Sequence, residues 1–175
     1  MNTSIAYLQK LLQHTSNEGE KAKILKELAR KTLNNTPQDS VSYSKKRLLL
    51  AQKNNNWKEE LNSHTALATA YIWDTDYTNA LKTTFNLLDV AKKHQATATI
   101  MIAYGMLAKI YGEVENYDLA YQNLRKAKAT YQGMDINMKQ AHTSQFFSML
   151  TSEGVMNVSQ KLYEKANMCF KEALK

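Results

Sequence analysis

Three copies of one short pattern run through this 175-residue chain in a single phase. Leu67-Ala68-x-x-Tyr71 and Leu107-Ala108-x-x-Tyr111 stand 40 residues apart, and Asp76-Tyr77-x-x-Ala80 and Asn116-Tyr117-x-x-Ala120 share that offset. The second element returns as Tyr163-x-x-Ala166, followed by Phe170 and Ala173, with Gly154 nine residues before Tyr163. Ala68 and Ala108 precede Tyr77 and Tyr117 by the same interval. Self-similarity at such a period marks stacked supersecondary units, none of which buries its apolar face alone.

Each unit reads as two helices. The first carries Leu, a small residue and Tyr on one stripe; the second opens with Tyr and presents Ala three residues later. The small residue lets two helix backbones approach, and the tyrosines fill the groove beside it. An earlier unit shows an amphipathic stripe of Ala22, Ile24, Leu25, Leu28, Ala29 and Leu33. Asn34-Asn35-Thr36-Pro37 breaks that helix, with Asp39 or Ser40 as a cap for the next. Its end, Leu48 to Asn54, parallels the stretch Leu87 to His94, with Ala51 and Ala91 at the same offset. One proline and five glycines leave little for a turn-rich strand fold. The expected fold is all-α, a solenoid of antiparallel helix pairs with eight or nine helices. Their expected ranges are 3–14, 18–34, 38–54, 57–73, 77–94, 96–113, 117–132, 138–157 and 159–174. This makes 1–175 a single array, with units 18–54, 57–94, 96–132 and 138–175 after a first helix. The end inside a helix, at Ala173-Leu174-Lys175, reads as a fragment of a longer protein.

Chemistry-bearing patterns are sparse. The net charge of +7 comes from lysines and arginines spread at helical spacing, as on solvated faces. No dense basic run accompanies it, and the aromatic residues sit at core-like positions apart from the basic ones, so direct nucleic-acid binding is not expected. Cys169, the single cysteine, excludes an internal disulfide and reads as a small buried hydrophobe. His14, His64, His94 and His142 form no i, i+4 metal pair. Glu59 and Glu60 suit a helix N-terminus. Gly105 and Gly112 lack the Lys-Ser/Thr of a phosphate loop and read as sites of close helix contact. Most of the eight methionines read as core filler, with a soft binding surface as the sharper alternative. No catalytic set, metal site or cofactor site is expected, and the chain does not read as an enzyme. There is no leader-like or membrane-spanning run, so the chain reads as soluble and cytoplasmic rather than periplasmic.

At the repeated residues the chain resembles the tetratricopeptide repeat family. His64-x-x-Leu67-Ala68-x-x-Tyr71 and Tyr104-x-x-Leu107-Ala108-x-x-Tyr111 match the first half of that family's pattern. Ala166-x-x-x-Phe170-x-x-Ala173 matches the second half, as Ala120-x-x-x-Leu124-x-x-Ala127 does in part. The leading Trp and closing Pro are missing, and the period is nearer 40 than 34. The long period, with Asn35-Thr36-Pro37 and Leu48 to Lys53, is similar to arrays that precede histidine kinase or helix-turn-helix output domains in bacterial regulators. The resemblance implies a right-handed superhelix whose first helices line a concave groove. By phase, Asn62, Thr65, Thr69 and Trp73, then Ile102, Lys109 and Glu113, then Thr151, would face it. A bound helix or extended peptide would be held by the Asn and Thr side chains, with Trp73 or Ile102 as apolar anchor. The implied function is a protein- or peptide-binding scaffold, the sensor or interaction region of a bacterial signalling or transcriptional regulator. The alternative is self-association, as a homodimer through the terminal helices near Phe170 and Leu174.

Overall fold

The computed structural model describes residues 4–174, which hold ten α-helices and no strand. They are α1 (Ile5–His14), α2 (Glu18–Thr32), α3 (Pro37–Lys53), α4 (Trp57–Trp73), α5 (Tyr77–Lys93), α6 (Thr97–Glu113), α7 (Tyr117–Gln132), α8 (Ile136–Ala141), α9 (Thr143–Ser159) and α10 (Tyr163–Ala173). The expected helix start at residue 3 and array end at 175 lie outside the described residues. The chain forms two compact units, Met1–Val90 and Ala91–Lys175, with the boundary inside α5.

One turn connects most of these helices. Asn55, Thr75, Gln95, Glu115 and Lys161 all sit in the left-handed region, with φ of 50° to 60°. In each case the residue after it donates its N–H back into the preceding helix. Asn56 bonds to the Ala51 carbonyl, Asp76 to Tyr71, Ala96 to Ala91, Asn116 to Tyr111 and Leu162 to Asn157, at 2.8–3.0 Å. A second bond runs from each left-handed residue itself, as from Thr75 N–H to the Ile72 carbonyl at 3.1 Å. These pairs satisfy carbonyls that a helix end leaves orphaned. A non-glycine residue there costs about 1–2 kcal/mol, which those bonds offset. Asn56, Asp76 and Asn116 then cap the next helix, their side chains accepting from the N–H of Glu59, Asn79 and Leu119.

In the first unit Leu8, Ile24 and Leu28 form a core against which Leu12 and Tyr43 pack. Polar groups inside it are mostly paired. Ser40 donates to the Ala29 carbonyl at 2.8 Å, and the buried Arg47 guanidinium meets Glu59 at 2.6 Å, tying α3 to α4. Ser44 and His64 are exceptions: the Ser44 Oγ is buried without a partner, and His64, 4% exposed, has an unpartnered Nδ1 while its Nε2 lies 3.8 Å from Glu60.

In the second unit α6 packs on α7 and α9 on α10, around Met101, Ala108, Ala120, Leu124, Ala127, Met134, Met149 and Met156. The helix expected over 138–157 is two helices. His142 departs from helical geometry at φ −118°, ψ 15°, and separates the six-residue α8 from α9. Asp135 caps α8 by accepting from Met138 N–H at 2.9 Å, and Tyr131 stacks on Phe146 with ring centroids 4.0 Å apart. This insertion displaces the last pair's turn from the 20-residue spacing of 55, 75, 95 and 115 to position 161. The aromatic residues are less separate from the basic ones than expected. Lys92 and Lys126 both lie over the Tyr104 ring, at 5.9 and 5.6 Å, and Lys45 lies over Tyr71 at 5.5 Å.

The small-residue rule shows most clearly at Gly154. A Cβ there would fall 2.5–2.8 Å from three ring carbons of Phe170. In the preceding pair the corresponding residues are Ala108 and Leu124, so a larger residue on one helix is matched by a smaller one on the other. Gly154→Ala gains about 1 kcal/mol in helix propensity but overpacks the crossing at a cost of about 1–3 kcal/mol. The single variant should therefore unfold at lower urea than the parent, and Gly154→Ala with Phe170→Leu should recover the loss.

His64 generates a second expectation. Burial holds its pKa below the ordinary 6.5, opposed by the Glu60 carboxylate. The unfolded chain therefore binds the proton more readily, so the contribution of neutral His64 is present above the unfolded pKa. It is lost as pH falls from there through the depressed folded value. Between about pH 7 and pH 5 the urea midpoint should fall more steeply for the parent than for His64→Tyr, which places the residue found at 104.

Candidate functional site

Two adjoining hollows between α6 and α9, of about 280 and 220 Å³, share Lys109 and Ser152 and form one groove in the second unit. Its α6 wall carries Met101, Ile102, Gly105, Met106, Lys109, Gly112 and Glu113. These residues lie on one face because they recur at three- and four-residue intervals. Two glycines on that face open the floor. A Cβ at Gly112 would lie 2.5 Å from Met156 Sδ, and one at Gly105 would lie 3.5 Å from Met149 Sδ. Methionine sulfur thus occupies the space that the missing side chains leave, which gives the floor an adaptable apolar lining.

The α9 wall is a rail of hydroxyls: Ser144, Ser148, Thr151, Ser152 and Ser159. Thr151, Ser152 and Ser159 donate to the carbonyls of Phe147, Ser148 and Val155, at 3.0, 3.0 and 3.2 Å. Their protons are committed to the helix, so their oxygens face the groove as acceptors. From Ser144 to Ser159 the rail runs about 22 Å at the α-helical rise. An extended chain covers that distance in six or seven residues, at about 3.3 Å each. Lys109 and Glu113, one turn apart, put both signs of charge on the opposite wall.

Four of the residues singled out by phase meet here: Ile102 and Lys109 in the larger hollow, and Lys109, Glu113 and Thr151 in the smaller. The other four belong to the first unit. Asn62, Thr65 and Thr69 line a separate hollow of about 330 Å³ with Lys26, Arg30 and the buried Arg47. Thr65 and Thr69 donate to the Leu61 and Thr65 carbonyls, both at 2.9 Å. Trp73, at the end of α4, is 51% exposed and lines neither hollow. The serines went unpredicted; the methionines were expected mainly as core filler, with a soft binding surface as the alternative. The register that Gly154 gives selected Thr151 alone; the serines lie beside it on the same helix face and could have been found from that register.

Cys169 is buried, as expected, with its thiol pKa raised by burial and then by the Glu153 carboxylate. Among the described residues no three His, Cys, Asp or Glu side chains gather as metal ligands, and no helix is long and apolar enough to cross a membrane.

No family model and no curated protein matches the chain. Solved structures do. The apo form of RapI superposes with a TM-score of 0.76 at 18% identity, over 97% of this chain and 61% of that one. A Rap protein complexed with Competence and Sporulation Factor gives 0.78 at 16%, over 97% and 47%. Aspartyl phosphate phosphatase F from Bacillus subtilis gives 0.67 at 14%, over 97% and 53%. This chain thus spans about half to three fifths of the length of these proteins. At such identities the likeness establishes the fold: an all-α solenoid of helical repeats.

Proposed function

We propose that this chain is the peptide- or protein-binding part of a regulatory protein, and that the α6/α9 groove takes an extended peptide of about six residues. The observation that carries this is the pairing of an acceptor rail with a yielding apolar floor. Peptide N–H groups would donate to the serine and threonine oxygens, and alternate side chains would settle on Met101, Ile102, Met106 and Met149. Lys109 and Glu113 would select charge at the ligand's margin. The neighbour complexed with Competence and Sporulation Factor supports a binding role for this type of array. The bacterial sensor or signalling setting is part of the same proposal, as is the absence of enzymatic activity; the third neighbour's title names a phosphatase. The groove offers one lysine, one glutamate, a tyrosine and hydroxyls of which Thr151, Ser152 and Ser159 are already bonded to backbone, which suits recognition better than hydrolysis.

A second reading, self-association, has an observation of its own. Tyr163, Met168 and Leu174 on and beside α10 are 64%, 71% and 87% exposed. Sedimentation over a range of concentrations separates the two, since a strict monomer removes the second reading.

The test of the first is a hexapeptide array followed by fluorescence polarisation on the best binder. Gly105→Leu fills the larger hollow, and Lys109→Glu reverses an exposed charge. Each should weaken binding more than tenfold with an unchanged thermal melt. Unchanged affinity in both variants contradicts the groove assignment.

A further inference from the structure

The last helix pair breaks the repeat at two core positions. With the left-handed turns at Glu115 and Lys161 as register marks, Glu153-Gly154-x-x-Asn157 stands where the preceding pair has Leu107-Ala108-x-x-Tyr111. Leu107 is 1% exposed, so the repeat calls for an apolar side chain where this chain places a carboxylate. Asn157 is 3% exposed. Burying such groups is unfavourable unless they are bonded, and departures from a fold's own rule concentrate at functional sites.

Asn157 is hydrogen-bonded, in a string that ends in open space, whereas the buried Glu153 Oε2 has an ion-pair partner but no hydrogen bond. Tyr121 donates to Asn157 Oδ1 at 2.7 Å and accepts from Gln160 Nε2 at 2.9 Å. Asn157 Nδ2 donates to Cys169 Sγ at 3.6 Å. Glu153 pairs with Lys128 at 2.6 Å. Together they line a cleft of about 740 Å³ between α7, α9 and α10, which has no residue in common with the α6/α9 groove. That volume lies within the range of small-molecule sites, roughly 300–1,000 Å³. Its lining is charge-balanced: Arg125, Lys128 and Lys165 against Asp118, Glu153 and Glu172. Once Lys128 and Glu153 are paired, the other four carry no ion pair among the described residues. A ligand of a single charge would meet its own sign there as well as the opposite one. A ligand with both signs is met by both.

We propose that this cleft binds a small zwitterion of the α-amino-acid type, a free amino acid or a short peptide with both termini charged. Arg125 and Lys165 would take the carboxylate, and Asp118 and Glu172 the ammonium. Asn157, Tyr121 and Gln160 form the polar floor. Such a site differs from the groove in chemistry as well as position, because it reads the ligand's charges rather than its extended backbone.

The test is isothermal titration of the chain with the twenty common amino acids and a set of dipeptides. Each is compared with its N-acetyl and C-amide forms, which lose one charge. Saturable binding of at least one free zwitterion, weakened tenfold or more by either cap, is the expected result. Arg125→Gln and Glu172→Gln, both exposed side chains, should weaken it to a similar degree. Glu153→Leu with Asn157→Tyr restores the residues of the preceding pair; it should abolish binding while leaving the thermal melt as high or higher. Absence of saturable heat with every probe overturns the proposal, as does equal binding of capped and free forms. Loss of binding in Gly105→Leu would place the probe in the groove and overturn it equally.

Discussion

Close approach of two helix backbones at one small residue per pair is the contact on which this architecture depends. Ala68, Ala108 and Gly154 occupy that place, each fully or almost fully buried. A helix pair of about 40 residues has too little interior to hold itself together, and its apolar stripe has to be covered by a neighbour. The crossing residue determines how near that cover comes. Where it shrinks from Ala108 to Gly154, the facing residue grows from Leu124 to Phe170, and the crossing stays filled. Dense packing leaves few other solutions.

The groove between α6 and α9 uses the same device for a different end. Gly105 and Gly112 lie on the face of α6 turned toward α9, and the space they leave is taken by methionines rather than by backbone. The two helices are therefore held apart by flexible side chains, with a channel left above them. Serine and threonine on one face of α9 then supply polar oxygens without a buried charge. Scaffold and groove have one physical origin, the choice of small residues at chosen positions on adjacent turns.

Much of the scaffold was legible from residue types. Asn56, Asp76 and Asn116 before a helical stripe are capping signals, and their helices begin one residue later, at Trp57, Tyr77 and Tyr117. What could not be read was of two kinds. Left-handed turns built on Asn55, Thr75, Gln95, Glu115 and Lys161 carry no glycine to announce them; their bonds are to backbone and leave no mark in the residue types. The second kind follows from α8. Its six residues move the last pair out of the 40-residue period; Gly154 still marks the register, with Glu153 and Asn157 in the places of Leu107 and Tyr111, but the residue types do not say that these two open onto a cleft. That register selected Thr151 alone on α9, and the serines of the same wall were passed over. Ile102, Lys109 and Glu113 fall on one wall because α6 keeps the register of α4.

The chain's methionines are natural reporters for the central claim, that the α6/α9 groove is a peptide site. With ¹³C-labelled methionine methyl groups, a bound hexapeptide is predicted to shift the resonances of Met101, Met106, Met149 and Met156, which line the groove. Met134, packed in the core, and Met168, in the cleft beside α10, should stay in place. Shifts confined to Met134, Met138 or Met168, with the four groove methyls unmoved, would contradict the account.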